Sequence, residues 1–211
     1  MNVIISVLGF DEKFHVRSLM RHGTKEISKY IVITPDPSSQ ERTRKALESL
    51  RSIAQQVDIS IEEFSVNYLD FFDAIEQILD ILKKNKEFGY ILNLSGGLRV
   101  LDFEVLSAFI ILRKNAKVEI EPETFIGGPV EFEVNDLIYS SMDNMSVAIL
   151  SHLRANGGST VSLTESTGAS RTTVWRKLKK LESNGFVSSR HGSVYTITQK
   201  AELFLSVNEM S

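Results

Sequence analysis

Cysteine is absent from this 211-residue chain. Disulfides, thiol nucleophiles and cysteine metal sites are therefore excluded. Histidine is scarce, and the four present, His15, His22, His152 and His191, are too scattered to form a ligand motif. No stretch approaches the roughly 18 apolar residues that a membrane span requires. Met1 leads straight into a short strand rather than a signal peptide, so a cytoplasmic protein is expected. The chain also lacks G-x-G-x-x-G after its first strand and G-x-x-x-x-G-K anywhere, which argues against chemistry driven by NAD or ATP. It has no internal repeat and no low-complexity segment.

What is present is an ordinary globular composition, 42% hydrophobic, with an uneven charge. Residues 142–211 carry 8 Lys+Arg against 5 Asp+Glu, a formal +3, whereas residues 1–141 carry 16 against 22, a formal −6. A basic C-terminal module behind an acidic N-terminal one is the asymmetry expected when only one part meets a polyanion. Two domains are expected, over 1–136 and 144–211, joined by a linker over 137–143.

The last fifty residues read as a winged helix-turn-helix. Ser162 and Glu165 form an S-x-x-E signal for a short helix, Gly168 supplies the turn, and a second helix opens at Ser170. In that helix Val174, Leu178 and Leu181 share one narrow stripe, and Thr172, Arg176, Lys179 and Lys180 fall on the opposite arc. Asn184-Gly185 ends it, and Phe186-Val187, a turn at His191-Gly192 and the run Val194–Thr198 make a two-stranded wing. Arg171, Thr172, Thr173 and Arg176 are placed for base edges, and Lys179, Lys180 and Arg190 for phosphates. Double-stranded DNA is the leading partner. The competing reading is a winged helix used for protein contacts, with a solvated basic face.

Residues 1–121 alternate strand-like segments (3–8, 30–34, 59–64, 90–94 and 117–120) with helical patterns near 14–22, 38–56, 70–85 and 99–114. This is an α/β, Rossmann-like parallel sheet. A later hairpin is expected from strands at 124–126 and 130–134 turning at Gly127-Gly128-Pro129. In such sheets ligands sit beyond the carboxyl ends of the strands where the winding reverses. Two loops mark that edge: Leu8 to Phe14 (LGFDEKF) and Asn93 to Arg99 (NLSGGLR). Ser95-Gly96-Gly97 leads into a helix, so backbone N–H groups, a hydroxyl and the positive end of a dipole converge where a phosphate would be favoured. Arg99 adds a charge-assisted contact, Gly9 permits close approach, and Phe10 offers a surface for a base. The alternative is that the glycines only make tight turns and that Asp11 and Glu12 cap a helix. Asp70, Asp73 and Glu76 alternate with Phe71, Phe72, Ile75 and Ile78 as the wet side of an amphipathic helix, so no metal is expected there.

Together the GFDEKF loop, the NLSGGLR segment and the winged helix resemble the archaeal CRISPR-associated transcriptional regulators that join a CARF domain to a winged helix-turn-helix. The resemblance covers nearly the whole chain. It implies a homodimer that senses a cyclic oligoadenylate, with cyclic tetra-adenylate the expected ring, and that regulates genes of its CRISPR locus. It implies ligand contacts from Gly9, Phe10, Asp11, Ser95, Gly96, Gly97 and Arg99. Leu98 also lies in that loop, but stands where a hydroxyl residue often follows the two glycines.

Two other functions compete with a non-enzymatic regulator. A ring nuclease would open its own ligand by attack of a 2′-hydroxyl on the adjoining phosphate, with Ser95 and Arg99 assisting, although neither loop holds a histidine as an obvious acid or base. The other is a regulator of a different nucleotide metabolite, or a scaffold that binds proteins.

Overall fold

The computed structural model describes residues 2–36, 41–85, 89–124, 126–139, 142–190 and 194–209. They fall into two compact units, Met1–Leu137 and Ile138–Ser211.

The N-terminal unit is a six-stranded sheet of β1 (Asn2–Val7), β2 (Ile27–Asp36), β3 (Ile61–Asn67), β4 (Gly89–Asn93), β5 (Lys117–Ile120) and β6 (Val130–Glu133), in the order β3-β2-β1-β4-β5-β6. The first five are parallel and β6 runs antiparallel to β5. Strand β1 is buried on both faces, which is why it reads as an apolar run rather than an alternation. Helices α1 (Lys13–Glu26) and α2 (Glu41–Gln56) cover one face. Leu19, Ala46, Leu47, Leu50 and Ala54 pack there on Ile4, Leu8, Tyr30, Val32 and Ile91. Helices α3 (Phe71–Lys84) and α4 (Arg99–Leu112) pack on each other and cover the opposite face. A four-residue helix, α5 (Val134–Leu137), ends the unit.

Several details differ from the sequence pattern. Helix α1 runs on to Glu26 through a kink at Gly23, whose φ is +60°. Of the expected strand 124–126, Phe125 is outside the described residues, Thr124 is a turn and Ile126 lies outside any strand, and 130–133 does not pair with them. Strand β6 pairs with β5 instead, Val118 opposite Phe132, because the sheet edge offers a full ladder and the short 124–126 segment does not.

The C-terminal unit comprises α6 (Asn144–Asn156), β7 (Gly158–Ser159), α7 (Thr160–Thr167), α8 (Arg171–Ser183), β8 (Val187–Arg190), β9 (Val194–Ile197) and α9 (Gln199–Glu209). Strands β8 and β9 form the antiparallel wing, and β7 adds a third strand beside β9. Helix α7 starts earlier than the Ser162–Glu165 spacing suggests. Its N-cap is Ser159, whose hydroxyl accepts from the Ser162 N–H (3.3 Å), while the Ser162 hydroxyl accepts from the Ser159 N–H (3.0 Å). Ser162 thus plays the part usually given to Glu, and Glu165 is exposed. Gly168, at φ +66°, closes α7, and Ser170 caps α8. The core joins Ile149, Leu150, Leu153, Leu163, Val174, Leu178, Leu181, Phe186 and Tyr195. Tyr139, within the segment expected to be a linker, belongs to this unit and stacks on Phe204 (6.5 Å between centroids).

Candidate ligand edge and reader helix

Because β1 pairs with both β2 and β4, the winding reverses between β1 and β4. The two candidate loops leave those neighbouring strands and touch. A Cβ on Gly9 would lie 2.5 Å from the Gly96 carbonyl oxygen, and one on Gly97 would lie 2.3 Å from Val7 Cγ1 and 2.7 Å from the Val7 carbonyl oxygen. These glycines are not in the left-handed region. Their role is close approach, one loop seated on the other with no room for a side chain. Helix α4 starts directly beyond. Its N-cap, Leu98, is extended and has no side chain to accept a bond, so the first N–H groups of a 14-residue helix keep their donor capacity. Arg99 is exposed in that first turn, and Phe10 is 49% exposed on the other loop.

Two of the predicted residues serve the loops themselves. The Ser95 hydroxyl donates to Asn93 Oδ1 (2.5 Å) and accepts from the Glu121 N–H (2.9 Å), tying the ends of β4 and β5 together. Asp11 Oδ1 accepts from the Lys13 N–H (2.9 Å) at the start of α1, and that bond, helped by the Lys13 ammonium, holds its carboxyl below the usual range. The N-cap position itself is Glu12, which makes no side-chain cap bond, and Asp11 stands one residue before it.

Beneath the loops lies a polar cluster that the sequence did not reveal. Ser6 Oγ donates to the Asn93 carbonyl (2.9 Å) and meets His15 Nδ1 at 2.8 Å, with Tyr30 Oη 3.2 Å from the same nitrogen. Asn93 Nδ2 in turn donates to the Phe14 carbonyl (3.3 Å). His15 is fully buried, and burial pushes its imidazole down to about 4, so the ring is neutral. Its Nε2 has no hydrogen-bond partner among the described residues and lies 3.4 Å from where a Gly96 Cβ would be. Scattered in sequence, the histidine is nonetheless adjacent to the candidate loop. The signal available was its i,i+4 spacing to Leu19 on the buried side of α1.

An ionic cluster fixes α1 to the same edge. Arg17 and Arg21 hold Glu121 (2.5 and 3.0 Å), and Arg21 and His22 hold Glu119 (both 2.8 Å). Burial alone would raise the Glu119 carboxyl, but His22, Lys117 and Arg21 outweigh it and bring it to about 2.

In the C-terminal unit α8 turns Val174, Leu178 and Leu181 inward and leaves Arg171, Thr172, Trp175, Arg176, Lys179 and Lys180 exposed. No acidic residue occupies its first turn, so the positive helix end is undiminished there. Thr173 is partly committed to the cap, its hydroxyl 2.9 Å from that of Ser170. Lys179 pairs with Glu182 (2.7 Å), which also accepts from Ser189 of the wing (2.6 Å). Lys177 is drawn away to Asp143, the N-cap of α6. Arg190 lies in β8, but its side chain, like the turn at His191-Gly192, is outside the described residues.

Residues 2–133 match the family model of the Csa3 CRISPR-associated Rossmann-like domain. The chain belongs to the Csa3 family. Residues 142–188 match a winged helix-turn-helix DNA-binding family. Among solved structures, the chain is similar to Can2 from Sulfobacillus thermosulfidooxidans in complex with cyclic tetra-adenylate (10% identity, TM-score 0.49) and to protein VC1899 from Vibrio cholerae (12%, 0.49). In both cases 97% of this chain aligns with 64% of the other, so it spans less than two thirds of their length. Enterococcus italicus Csm6 bound to cyclic hexa-2'-fluoro-hexa-dAMP is also similar (11%, 0.46; 87% of this chain, 55% of that one). A comparison with curated proteins found no match.

In this Csa3-family chain the N-terminal edge and α8 differ in kind. At the edge, Gly9, Gly96 and Gly97 are brought into contact, Leu98 and Arg99 open α4, and Ser95 and Asp11 are engaged in holding the loops. On α8 Arg171, Arg176 and Lys180 make no ion pair among the described residues. No group of acidic and histidine residues suited to a metal occurs among the described residues, and no helix among them is long and apolar enough to cross a membrane.

Proposed function

We propose that this protein is a dimeric, ligand-responsive regulator of CRISPR-associated genes, working in the cytoplasm. Its N-terminal unit takes a cyclic oligoadenylate and its winged helix takes promoter DNA. The observation that carries the reading is the seating of the Gly9 loop on the Gly96-Gly97 loop beside the uncapped start of α4, in a Csa3-family chain that also bears a winged helix. Bare backbone at a helix N-terminus favours a phosphate, and Arg99 and Phe10 supply a charge and a stacking surface next to it.

Two-fold symmetry makes a ring a sensible ligand. A dimer presents each loop twice across one axis, and cyclic tetra-adenylate, with an even number of identical units, satisfies both copies alike. A second copy also gives the exposed Val100, Phe103 and Ile111 of α4 a surface to pack on. The same axis would carry two reader helices to successive major grooves about 34 Å apart.

Labelled cyclic tetra-adenylate incubated with the full chain tests the ligand. Saturable binding to a dimer, weakened in Phe10→Ala and Arg99→Ala, and recovery of the intact ring are expected. Linear product would make the protein a ring nuclease. Failure of the folded dimer to bind any cyclic oligoadenylate would remove the ligand reading. Gel shifts of promoter DNA with and without the ring test the second half.

A further inference from the structure

Trp175 is the only tryptophan of the chain, and it lies on the exposed side of α8 at 51% exposure. It belongs neither to the core of the C-terminal unit nor to the partly buried residues packed against that core. It makes no ring contact among the described residues, not even with the cations one turn away, Arg171 and Lys179. On the same flank of the helix lie Arg171, Thr172 and Lys179, all exposed, and Glu182, which pairs with Lys179.

A tryptophan with half of its surface open to water, and no ring or cation set against it among the described residues, presents apolar area that a partner can cover. Here it stands inside the patch of positive charge that the preceding reading assigns to DNA. Val174, Leu178 and Leu181 define the buried pole of the helix, and Trp175 lies about 90° from the opposite, solvent-facing pole. In a helix laid along a major groove that flank faces the margin of the floor, where the base edges meet the backbone wall. The apolar features there are the deoxyribose and the C5-methyl of thymine, which projects from the base edge on the side of its own backbone.

We propose that Trp175 is a specificity-determining residue of the DNA site, reading a thymine methyl group by apolar contact while Arg171 on one side addresses a base edge and Lys179 on the other holds a phosphate. This inference rests on the DNA-binding reading above. It adds an apolar contact far larger than the γ-methyl of Thr172 can make, whereas the guanidinium groups of the helix address hydrogen-bonding edges.

The test uses the full chain and a library of random duplexes of about 30 bp, long enough for two half-sites. The retained fraction is amplified and one selected duplex becomes the probe. Trp175 reports on itself, since no other tryptophan contributes to the emission. Its fluorescence should change, and its quenching by acrylamide should fall, with saturation at the duplex concentration that saturates a gel shift. Replacing dT by dU removes only the methyl, and should weaken binding by the parent about three- to tenfold. Trp175→Ala, confirmed as folded by circular dichroism, should bind both duplexes alike, and Trp175→Phe should retain a preference for dT. A gel shift with unchanged emission and unchanged quenching would overturn the proposal, as would an equal dT-to-dU ratio in the parent and Trp175→Ala. A library from which nothing is retained would defeat the DNA-binding reading itself, and this inference with it.

Discussion

Gly97→Ala tests the packing of the two loops most directly. The added Cβ would stand 2.3 Å from Val7 Cγ1, 2.4 Å from Val7 Cβ and 2.7 Å from the Val7 carbonyl oxygen. Ordinary carbon contacts are about 3.5–4.0 Å, so the loop must retreat by about 1 Å or β1 must bend. Strand β1 is the centre of the sheet, bonded on both sides, and will not move cheaply. Overpacking of this kind costs about 1–3 kcal/mol, and three clashing atoms, one of them backbone, place it at the upper end. For a unit of this size that is a fall of about 6–12 °C in the melting temperature of the N-terminal unit, read by scanning calorimetry. Gly96→Ala, whose Cβ would meet Phe14 at 3.1 Å, should cost less. Val7→Ala combined with Gly97→Ala should recover part of the loss, because it removes the 2.3 Å contact but leaves the other two. A Gly97→Ala protein melting within about 1 °C of the parent would refute the argument. Since any side chain at Gly97 displaces the loop, loss of ring binding in such a variant would not locate the ligand. Phe10 and Arg99 are the cleaner probes.

Glu104 is fully buried on α4 with both carboxyl oxygens unpartnered, and burial raises its carboxyl to about 7. The folded protein therefore holds that proton to higher pH than the unfolded chain, and stability present below about pH 4.5 is lost as pH rises through 7. Glu104→Gln should match the parent at pH 4.5 and exceed it at pH 8 in thermal melts; a difference independent of pH would count against this. Lys200 donates to the carbonyls of Ile138 and Asn184 (both 2.8 Å) and lies 4.4 Å from the centre of the Phe186 ring. Lys200→Met should destabilise the C-terminal unit by about 2–3 kcal/mol, measured by denaturant unfolding, with an unchanged midpoint as the opposing result. Arg176→Ala should weaken binding of a promoter duplex and lower the slope of log affinity against log salt by up to about 1, if Arg176 lies on a phosphate. A pure loss of affinity at constant slope would place it on a base edge instead.

Local rules made much of this molecule legible before any coordinates. The alternation of apolar runs with helical periodicity announced the parallel sheet, and the Val174, Leu178 and Leu181 stripe named the inward face of α8 correctly. Gly168 and Asn184-Gly185 ended helices where expected, because a left-handed or terminal backbone position is a property of a few neighbouring residues. Where the outcome depended on choice between alternatives of similar local quality, the sequence was a poorer guide. Two cap signals overlap at the start of α7, and the helix took Ser159 rather than Ser162, whose hydroxyl then completes the box from the other side.

Long-range contacts decided the remainder. The strand 130–133 found its partner in β5 rather than in 124–126, since a ladder on an existing sheet edge outweighs a hairpin with a three-residue strand. The glycines at 9 and 97 were read as ligand contacts or as turn residues, yet what demands them is the 2.3–2.5 Å distance at which a Cβ would meet the neighbouring chain, a quantity no single segment contains. His15, Ser6, Tyr30 and Asn93 come from four separate elements and meet only once β1, β2 and β4 are paired. Composition, periodicity and caps are set by residues within a turn or two of each other, so the chain itself dictates them. Which loop lies on which, and which polar groups share a buried space, follow from the order of strands in the sheet, and that order exists only in the folded molecule.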